Sequence, residues 1–276
     1  GAKVRNYKVG DIVFRPQVVY KNVPDVPNIC WGGFAEYGII SDGKAIIEDK
    51  AGSPLSGSWT MQQIIPKGID PIEATVLITV KETLSSLLIA GFNAGKSLLI
   101  FGSGPVGMSF ALCGKMIGAE KVVIVGRRDE RLRQTLAFGV DETINSSKED
   151  VVKKAREISN GKGFDLVIDA IGSYEVINLA VRTVAHKGIV GQYGVPAVPH
   201  NQFQRFELDF HGTPSNWSLS FLNPDEPSAH NIVCGWAKHG LLSMKAFITE
   251  IMPLKDIDRA YRIIKSGNAI KVILTS

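Results

Sequence analysis

The segment Lys96–Arg131 constrains the fold of this chain more than any other part of the sequence. It begins with the apolar run Ser97–Phe101, whose length and composition are typical of a buried parallel strand. Gly102, Gly104 and Gly107 follow at once in the G-x-G-x-x-G spacing. In such a turn the first glycine allows a tight bend, the second lets the backbone approach a pyrophosphate, and the third permits close packing of the next helix. The order of strand, glycine turn, helix and strand therefore predicts a dinucleotide-binding site.

The end of the second strand, Val122–Val125, indicates which dinucleotide is bound. Sites that use NAD carry an acid there, where it binds the ribose hydroxyls. This chain has Gly126 at that position, followed by Arg127 and Arg128. A glycine leaves room for a 2′-phosphate, and arginines bind it through charge-assisted hydrogen bonds. The alternative is that the arginines are only solvated charge, but cations at a helix start oppose the helix dipole. We therefore predict NADP(H) as the cofactor, with NAD as the second choice.

The composition is that of a globular protein and excludes several classes of function. Hydrophobic residues make up 45% of the 276 residues and charged residues 21%, which excludes a disordered chain. The net charge of +4 is scattered without a basic run, so neither a nucleic-acid nor a membrane partner is predicted. No apolar segment is long enough to span a membrane, and the start shows no signal-peptide pattern. Cys30, Cys113 and Cys234 form no C-x-x-C pair, which favours reduced thiols and a cytoplasmic location.

Three parts of the chain differ in pattern, and we predict domains at residues 1–70, 71–221 and 222–276. The first part contains the short β-type runs DIVFRP, GGFAEYGII and KAIIED between turn residues, without a helical pattern. Asp70 and Pro71 then begin a helix that Gly91 ends, with Glu73 as a capping acid.

Strands and helices alternate through the second part. After a brief strand at Glu142–Ile144, Ser146 with Glu149 is predicted to cap the helix EDVVKKAREI. The segment FDLVIDAIG is predicted as a strand, Tyr174–Val184 as a helix, and GIVGQYG and FELDFHG as further strands. Such alternation predicts a doubly wound parallel sheet.

The third part changes character again, and with the first part it would form one second domain. Its predicted elements, in chain order, are a helix at Ala229–His239, an extended segment at Ala246–Met252, an amphipathic helix at Leu254–Ser266 closed by Gly267, and the strand AIKVILTS.

The order of GGFAEY, the long helix, GSGPVG, the paired strands and the terminal IKVILT resembles the medium-chain dehydrogenase/reductase superfamily. Within it, the chain is most similar to the zinc-type alcohol, sorbitol and threonine dehydrogenase branch. The resemblance implies an α/β fold: a doubly wound parallel (Rossmann) sheet plus an incomplete GroES-like β-rich catalytic domain. GAKVRNYKVGDIVFRP resembles the stretch that follows a Gly-His-Glu motif in relatives. The family's N-terminal segment, which carries its first two catalytic zinc ligands, is therefore expected to be missing.

The resemblance also implies positions for the catalytic residues. Thr79 falls where relatives carry a third zinc ligand, and threonine is a poor zinc ligand. Glu82 lies one helical turn further and could reach inward, although Lys81 and Glu82 are more simply explained as an ordinary helix pair. Thr83 resembles the family threonine beside the nicotinamide. The family's structural zinc needs four cysteines where only Cys30 stands, so zinc is expected in full-length relatives and not in this chain.

The remaining cofactor positions complete the predicted site. Pro105 and Val106 belong to the glycine turn, and Ala170 and Tyr193 lie in two later predicted strands. Lys271 matches a basic residue that relatives place on the pyrophosphate, with a solvated strand lysine as the alternative.

The resemblance implies an oxidoreductase that exchanges hydride between NADP(H) and a secondary alcohol or its ketone. Two alternatives remain open: a zinc-free reductase of enones or quinones, and a truncated dinucleotide-binding protein without catalysis. Because FELDFHG alternates apolar residues and would end the sheet, we expect a homodimer or homotetramer built on that edge.

Overall fold

The computed structural model describes residues 1–17, 34–54, 57–195 and 216–276 of the chain. Its helices are α1 Gly43–Glu48, α2 Pro71–Ile89, α3 Pro105–Ile117, α4 Asp129–Thr135, α5 Val151–Ile158, α6 Tyr174–Thr183, α7 Glu226–Lys238 and α8 Ile257–Ser266. Its strands are β1 Ser97–Phe101, β2 Lys121–Gly126, β3 Glu142–Asn145, β4 Phe164–Asp169, β5 Val184–Gln192, β6 Ser218–Phe221, β7 Ile248–Pro253 and β8 Lys271–Thr275.

The chain divides into two compact units. The first unit contains residues 1–81 and 226–276, and the second contains residues 82–225, so that α2 contributes to both. The domain boundaries that we placed after residues 70 and 221 stay a prediction.

The second unit is built on a six-stranded sheet in the order β3-β2-β1-β4-β5-β6. All of its neighbouring strands are parallel, which confirms the doubly wound sheet. Strands β1 and β2 are mostly apolar and almost wholly buried, and β4 is buried except at Asp165. Such burial is typical of a parallel sheet whose two faces are covered by helices. The strand order reverses between β1 and β4, and ligands of open α/β sheets bind at the carboxyl ends of the strands at this reversal. The fold thus places the glycine turn after β1 at the expected ligand position.

The predicted elements of the second unit agree closely with the structure, with one correction at a helix start. Ser146 and Glu149 do not cap α5; the carboxylate of Asp150 does, accepting the backbone N–H of Lys153 at 3.0 Å. Glu149 instead accepts the backbone N–H of Asn145 at 2.7 Å. The predicted strand FELDFHG lies outside the described residues. The described strand beyond β5 is β6, which the sequence did not predict.

The first unit contains less regular β structure in its described residues. Strands β7 and β8 form a parallel pair, and two isolated antiparallel bridges join Val13 to Ile64 and Gln17 to Ile39. The prediction of a strand at KAIIED was wrong, because Lys44–Glu48 lie in α1 and Asp49 is its C-cap. Asp42 begins this helix by accepting the backbone N–H of Ala45 at 3.1 Å, and such a cap outweighs the weak β preference of two isoleucines.

Two further observations bear on the predicted cellular setting. Cys113 and Cys234 are buried free thiols, and Cys30 lies outside the described residues. None of the helices in the described ranges has the length and apolar character needed to cross a membrane. The cytoplasmic location stays a prediction.

Candidate functional site: the glycine turn and the edge of the parallel sheet

The three glycines after β1 form the turn that leads into α3. Gly102 has a φ of +120°, a region that favours glycine, and its N–H donates to the carbonyl of Val125 at 2.9 Å. A Cβ at Gly107 would stand 1.8 Å from the carbonyl oxygen of Gly102, so no other residue fits there. A Cβ at Gly104 would meet no atom within 4 Å. Gly104 begins α3, and Pro105 and Val106 follow it half-buried. The backbone before α3 therefore faces open space in which a ligand could approach.

The end of β2 is packed against the glycine turn. Gly126 is buried, and a Cβ there would stand 2.5 Å from the Oγ of Ser103 and 2.9 Å from the Cδ2 of Leu132. Arg127 and Arg128 follow and are exposed. The sequence led us to explain Gly126 by the room that it leaves for a phosphate. The structure adds that Ser103 fills the space in which an acid at 126 would begin, a contact that sequence reasoning missed.

The carboxyl ends of β4 and β5 are joined by a buried acid that the sequence analysis did not single out. The carboxylate of Asp169 accepts the N–H groups of Ile171, Gly172 and Ser173 at 2.9, 3.0 and 3.2 Å. Burial raises the pKa of Asp169, and these three hydrogen bonds oppose the rise. Its backbone carbonyl also accepts the N–H of Tyr193 at 3.0 Å. An acid that ends a buried strand, three residues before a glycine, was the available signal.

Two of the predicted cofactor residues, Ala170 and Tyr193, directly follow the carboxyl ends of β4 and β5. Ala170 donates its N–H to the carbonyl of Phe101 at 3.0 Å, which ties the end of β4 to the end of β1. The hydroxyl of Tyr193 donates to the Oε2 of Glu82 at 3.1 Å, and its ring meets Phe110 edge-on at 5.1 Å between centroids. Glu82, which we considered as an inward-reaching metal ligand, thus contacts Tyr193. The cofactor roles of Ala170 and Tyr193 stay predictions.

Thr83 lies fully buried between α2 and α3. Its Oγ1 lies 2.7 Å from the Oγ of Ser109 and 3.5 Å from the Sγ of Cys113. Burial raises the pKa of the Cys113 thiol to about 12, so this thiol is not a nucleophile near neutral pH. The described contacts of Thr83 therefore serve the packing of two helices, and its predicted place beside the nicotinamide stays a prediction.

In the first unit, Thr79 contacts an ammonium group. The Nζ of Lys271 donates to the Oγ1 of Thr79 at 3.1 Å. We predicted that Lys271 binds the pyrophosphate; its described contact is with Thr79, and the pyrophosphate role stays a prediction. A threonine hydroxyl that accepts from an ammonium is a poor donor for zinc, since zinc prefers thiolate, imidazole and carboxylate. The described residues also contain no group of three or more His, Cys, Asp or Glu side chains that could hold a metal. The described residues around Thr79 do not fit a catalytic zinc.

We accordingly expect this chain to retain no stoichiometric zinc. Incubation with excess zinc followed by desalting and elemental analysis should return well below one metal per chain. The physical reason is the donor set around Thr79, together with the lone Cys30 where a structural site would need four thiolates. About one zinc per chain after desalting would contradict the expectation.

A buried ionic cluster lies close to Thr79 along α2. Lys81 is 0% exposed and Glu226 is 1% exposed, and the Nζ of Lys81 lies 2.6 Å from the Oε1 of Glu226. The Nε of Arg15 donates to the Oε2 of the same carboxylate at 2.6 Å. Lys81 also lies over the ring of Phe14, 3.9 Å from its centroid. Burial lowers the pKa of Lys81, and Glu226 opposes this shift.

The explanation of Lys81 and Glu82 as an ordinary helix pair was therefore wrong. Lys81 pairs with a carboxylate far along the chain. Sequence spacing carried no signal for that contact.

The chain is similar in sequence and in fold to known dehydrogenases. A family model described as "Zinc-binding dehydrogenase" matches residues 105–215. Sorbitol dehydrogenase of Halalkalibacterium halodurans is 26% identical over a match that covers 100% of this chain and 79% of that protein. L-threonine 3-dehydrogenase of Bacillus licheniformis is 24% identical, and the match covers 80% of this chain and 62% of that protein.

Among solved structures, alcohol dehydrogenase TADH from Thermus sp. ATN1 superposes with a TM-score of 0.70 at 22% identity. The superposition covers 81% of this chain and 64% of that structure. At this identity the likeness shows a shared fold. The chain thus spans between about three fifths and four fifths of the length of these relatives.

Proposed function

Because this chain belongs to the medium-chain dehydrogenase/reductase superfamily, we propose that it is an NADP(H)-dependent oxidoreductase acting on a secondary alcohol or its ketone. The relatives are named for sorbitol and for the 3-position of L-threonine, and both compounds carry secondary hydroxyl groups. A nicotinamide cofactor, when bound, supplies or accepts the hydride at C4 of its ring. The protein's part is to bind and orient the cofactor and the substrate.

One observation carries the proposal: the cradle formed by the glycine turn at the reversal of strand order. Gly107 permits contact between α3 and the turn, and Gly104 leaves its backbone open to a ligand. The first N–H groups of α3, a helix of 13 residues, have no partner within a helix and favour an anion in front of them. These features suit a pyrophosphate group, and Arg127 and Arg128 supply positive charge where the adenosine end would lie.

A second candidate function is supported by the pair formed by Thr79 and Lys271. A reductase of enones or quinones needs cofactor and a shaped cleft without a metal. Thr79 stands where the family carries its third zinc ligand, and its hydroxyl accepts a hydrogen bond from the ammonium of Lys271. This arrangement agrees with a reaction that needs no metal. The third alternative, a dinucleotide-binding protein without catalysis, would show cofactor binding and no turnover.

The test combines turnover with a variant that changes only the cradle. Oxidation of NADPH is followed by absorbance with ketones, enones and quinones, and reduction of NADP with secondary alcohols and polyols. Gly104→Ala adds a Cβ into open space at a φ of −87° that alanine adopts freely, so the fold should be unchanged. The added methyl would stand where the pyrophosphate must approach, and we expect cofactor affinity to fall by about tenfold or more.

The matched control is Gly235→Ala, another glycine whose added Cβ meets nothing within 4 Å. It lies inside α7 and should leave cofactor affinity unchanged. Wild-type affinity in Gly104→Ala would contradict the cradle. Turnover with enones or quinones and none with ketones or alcohols would select the second candidate.

The partners of the chain also remain proposals. We propose a small-molecule substrate and a homodimer or homotetramer, with neither nucleic acid nor membrane as a partner. The predicted contact strand FELDFHG lies outside the described residues. Within the described sheet the last strand is β6, and its Leu219 and Phe221 are exposed. Exposed apolar side chains on an edge strand are consistent with a contact to a second copy of the chain. Light scattering at micromolar concentration would test the assembly.

A further inference from the structure

We propose that Lys148 is a specificity-determining residue that adds a third positive charge to the site of the cofactor's 2′-phosphate. The inference rests on the proposed use of NADP(H). Sequence reasoning assigned this phosphate to Arg127 and Arg128 alone, because they directly follow the glycine at the acid position. The loop that follows β3 contributes Lys148 to the same edge of the sheet.

The pairing of β2 with β3 brings this loop to Gly126. The two strands are parallel, and Gly126 lies opposite Asn145 in their register. The next residue, Ser146, donates its backbone N–H to the carbonyl of Gly126 at 2.8 Å, and its hydroxyl donates to the same carbonyl at 3.2 Å. Lys148 follows two residues later. The residue that would decide between NAD and NADP is thus in direct contact with the loop that carries Lys148.

The side chain of Lys148 turns toward the start of α4. Its Nζ forms an ion pair with the Oδ2 of Asp129, the residue directly after Arg128. Asn145 donates its Nδ2 to the other oxygen, Oδ1, at 2.5 Å. The hydrogen bond from Lys148 lowers the pKa of Asp129 most, and the hydrogen bond from Asn145 lowers it further. Both keep the carboxylate ionised.

Asp129 would otherwise oppose a phosphate at this place. A carboxylate next to Arg128 cancels part of the positive charge that the two arginines offer. Lys148 neutralises that carboxylate. The lysine side chain is 63% exposed and the aspartate 47% exposed, and ion pairs this exposed contribute little to stability. Because an ammonium has three donors, Lys148 can keep its ion pair with Asp129 and also donate to a phosphate oxygen.

The experiment compares Lys148→Met with Lys154→Met. Lys154 lies on α5 and forms an ion pair with Glu157, so its replacement removes the same charge at a different place. Dissociation constants for NADPH, NADH and adenosine 2′-monophosphate are measured for each chain by titration. For Lys148→Met we expect NADPH and the adenosine phosphate to bind about fivefold more weakly while NADH is unchanged. Lys154→Met should leave all three unchanged.

A second variant tests the sign of the effect. Asp129→Asn removes the opposing charge and frees Lys148, so NADPH should bind more tightly and NADH as before. An unchanged ratio of NADPH to NADH affinity in Lys148→Met would overturn the inference and leave the proposed cofactor intact. Equal weakening of both cofactors would also overturn it, because it would show a structural role. A wild-type chain that does not prefer NADPH would overturn the proposed cofactor itself.

Discussion

Replacing Glu226 by alanine is expected to lower the free energy of unfolding by about 3–5 kcal/mol, because it leaves the buried ammonium of Lys81 and the mostly buried guanidinium of Arg15 without their shared carboxylate. Lys81 and Arg15 contact opposite oxygens of this carboxylate, each at 2.6 Å. They belong to α2 and to the N-terminal segment, while Glu226 begins α7. One carboxylate thus holds together three segments of the first unit. Chemical denaturation followed by circular dichroism measures the loss.

A surface ion pair supplies the matched control. Glu48 pairs with Arg5 at 2.9 Å, but both side chains are more than two fifths exposed. Glu48→Ala should therefore cost about 0–1 kcal/mol. A loss for Glu226→Ala no larger than that for Glu48→Ala would contradict the assignment of a buried cluster.

The effect of Glu226 comes from leaving charges unpaired, and a double variant tests this cause. Lys81→Met with Glu226→Gln removes one cation and the formal negative charge together. It should be more stable than Glu226→Ala alone, because only Arg15, which is 14% exposed in its side chain, then remains charged. If the double variant were as unstable as the single one, lost packing would be the cause.

The fold of the second unit was predictable because its strands lie inside the protein. A strand covered on both faces is apolar along most of its length, and a glycine turn directly follows β1. The prediction for β1 at Ser97–Phe101 therefore agrees residue by residue with the structure. The N-terminal part of the chain lacks such runs. There KAIIED has the composition of a β-type run, whereas the cap at Asp42 favours a helix. The weight of that cap against β propensity could not be judged from sequence.

The candidate site was predictable only where its residues are neighbours in sequence. The three glycines after β1 have geometry of the expected kind, since their spacing itself specifies the turn. Contacts between separate segments gave no signal. Gly126 touches Ser103, and Lys81 pairs with Glu226 across most of the chain. Both contacts join segments that are distant in sequence, and local sequence patterns carry no information about such contacts.

The second large expected effect is the cofactor preference. Arginines 127 and 128 at a partly exposed phosphate should contribute on the order of 1.5–3 kcal/mol, by analogy with other hydrogen bonds to charged groups. Each 1.4 kcal/mol corresponds to a factor of ten, so NADPH should bind about ten- to a hundredfold more tightly than NADH. Titration followed by tryptophan fluorescence measures both constants. The ratio should fall as salt rises, because exposed charges are screened.

Reversing the preference for NADPH requires three substitutions, because Ser103 lies against Gly126 and leaves no room for a side chain there. Gly126→Asp with Arg127→Ala restores the acid and removes charge, but the new Cβ would stand 2.5 Å from the Oγ and 2.9 Å from the Cβ of Ser103. Adding Ser103→Gly removes both contacts, while the flexible end of Leu132 can shift. We expect the triple variant to bind NADH more tightly than NADPH, and the variant that keeps Ser103 to lose stability.

The control for this reversal is a variant that removes a positive charge away from the proposed phosphate site. Arg133 lies exposed on the same helix, α4, and Arg133→Ala should keep the wild-type preference for NADPH. Thermal melting of each variant separates a change in affinity from a change in folding. Equal or tighter binding of NADH by the wild-type chain would refute the assignment of NADP(H). A triple variant that is folded and still prefers NADPH would show that Gly126 and Arg127 do not set the preference, and Arg128 with Lys148 would then be the groups to replace.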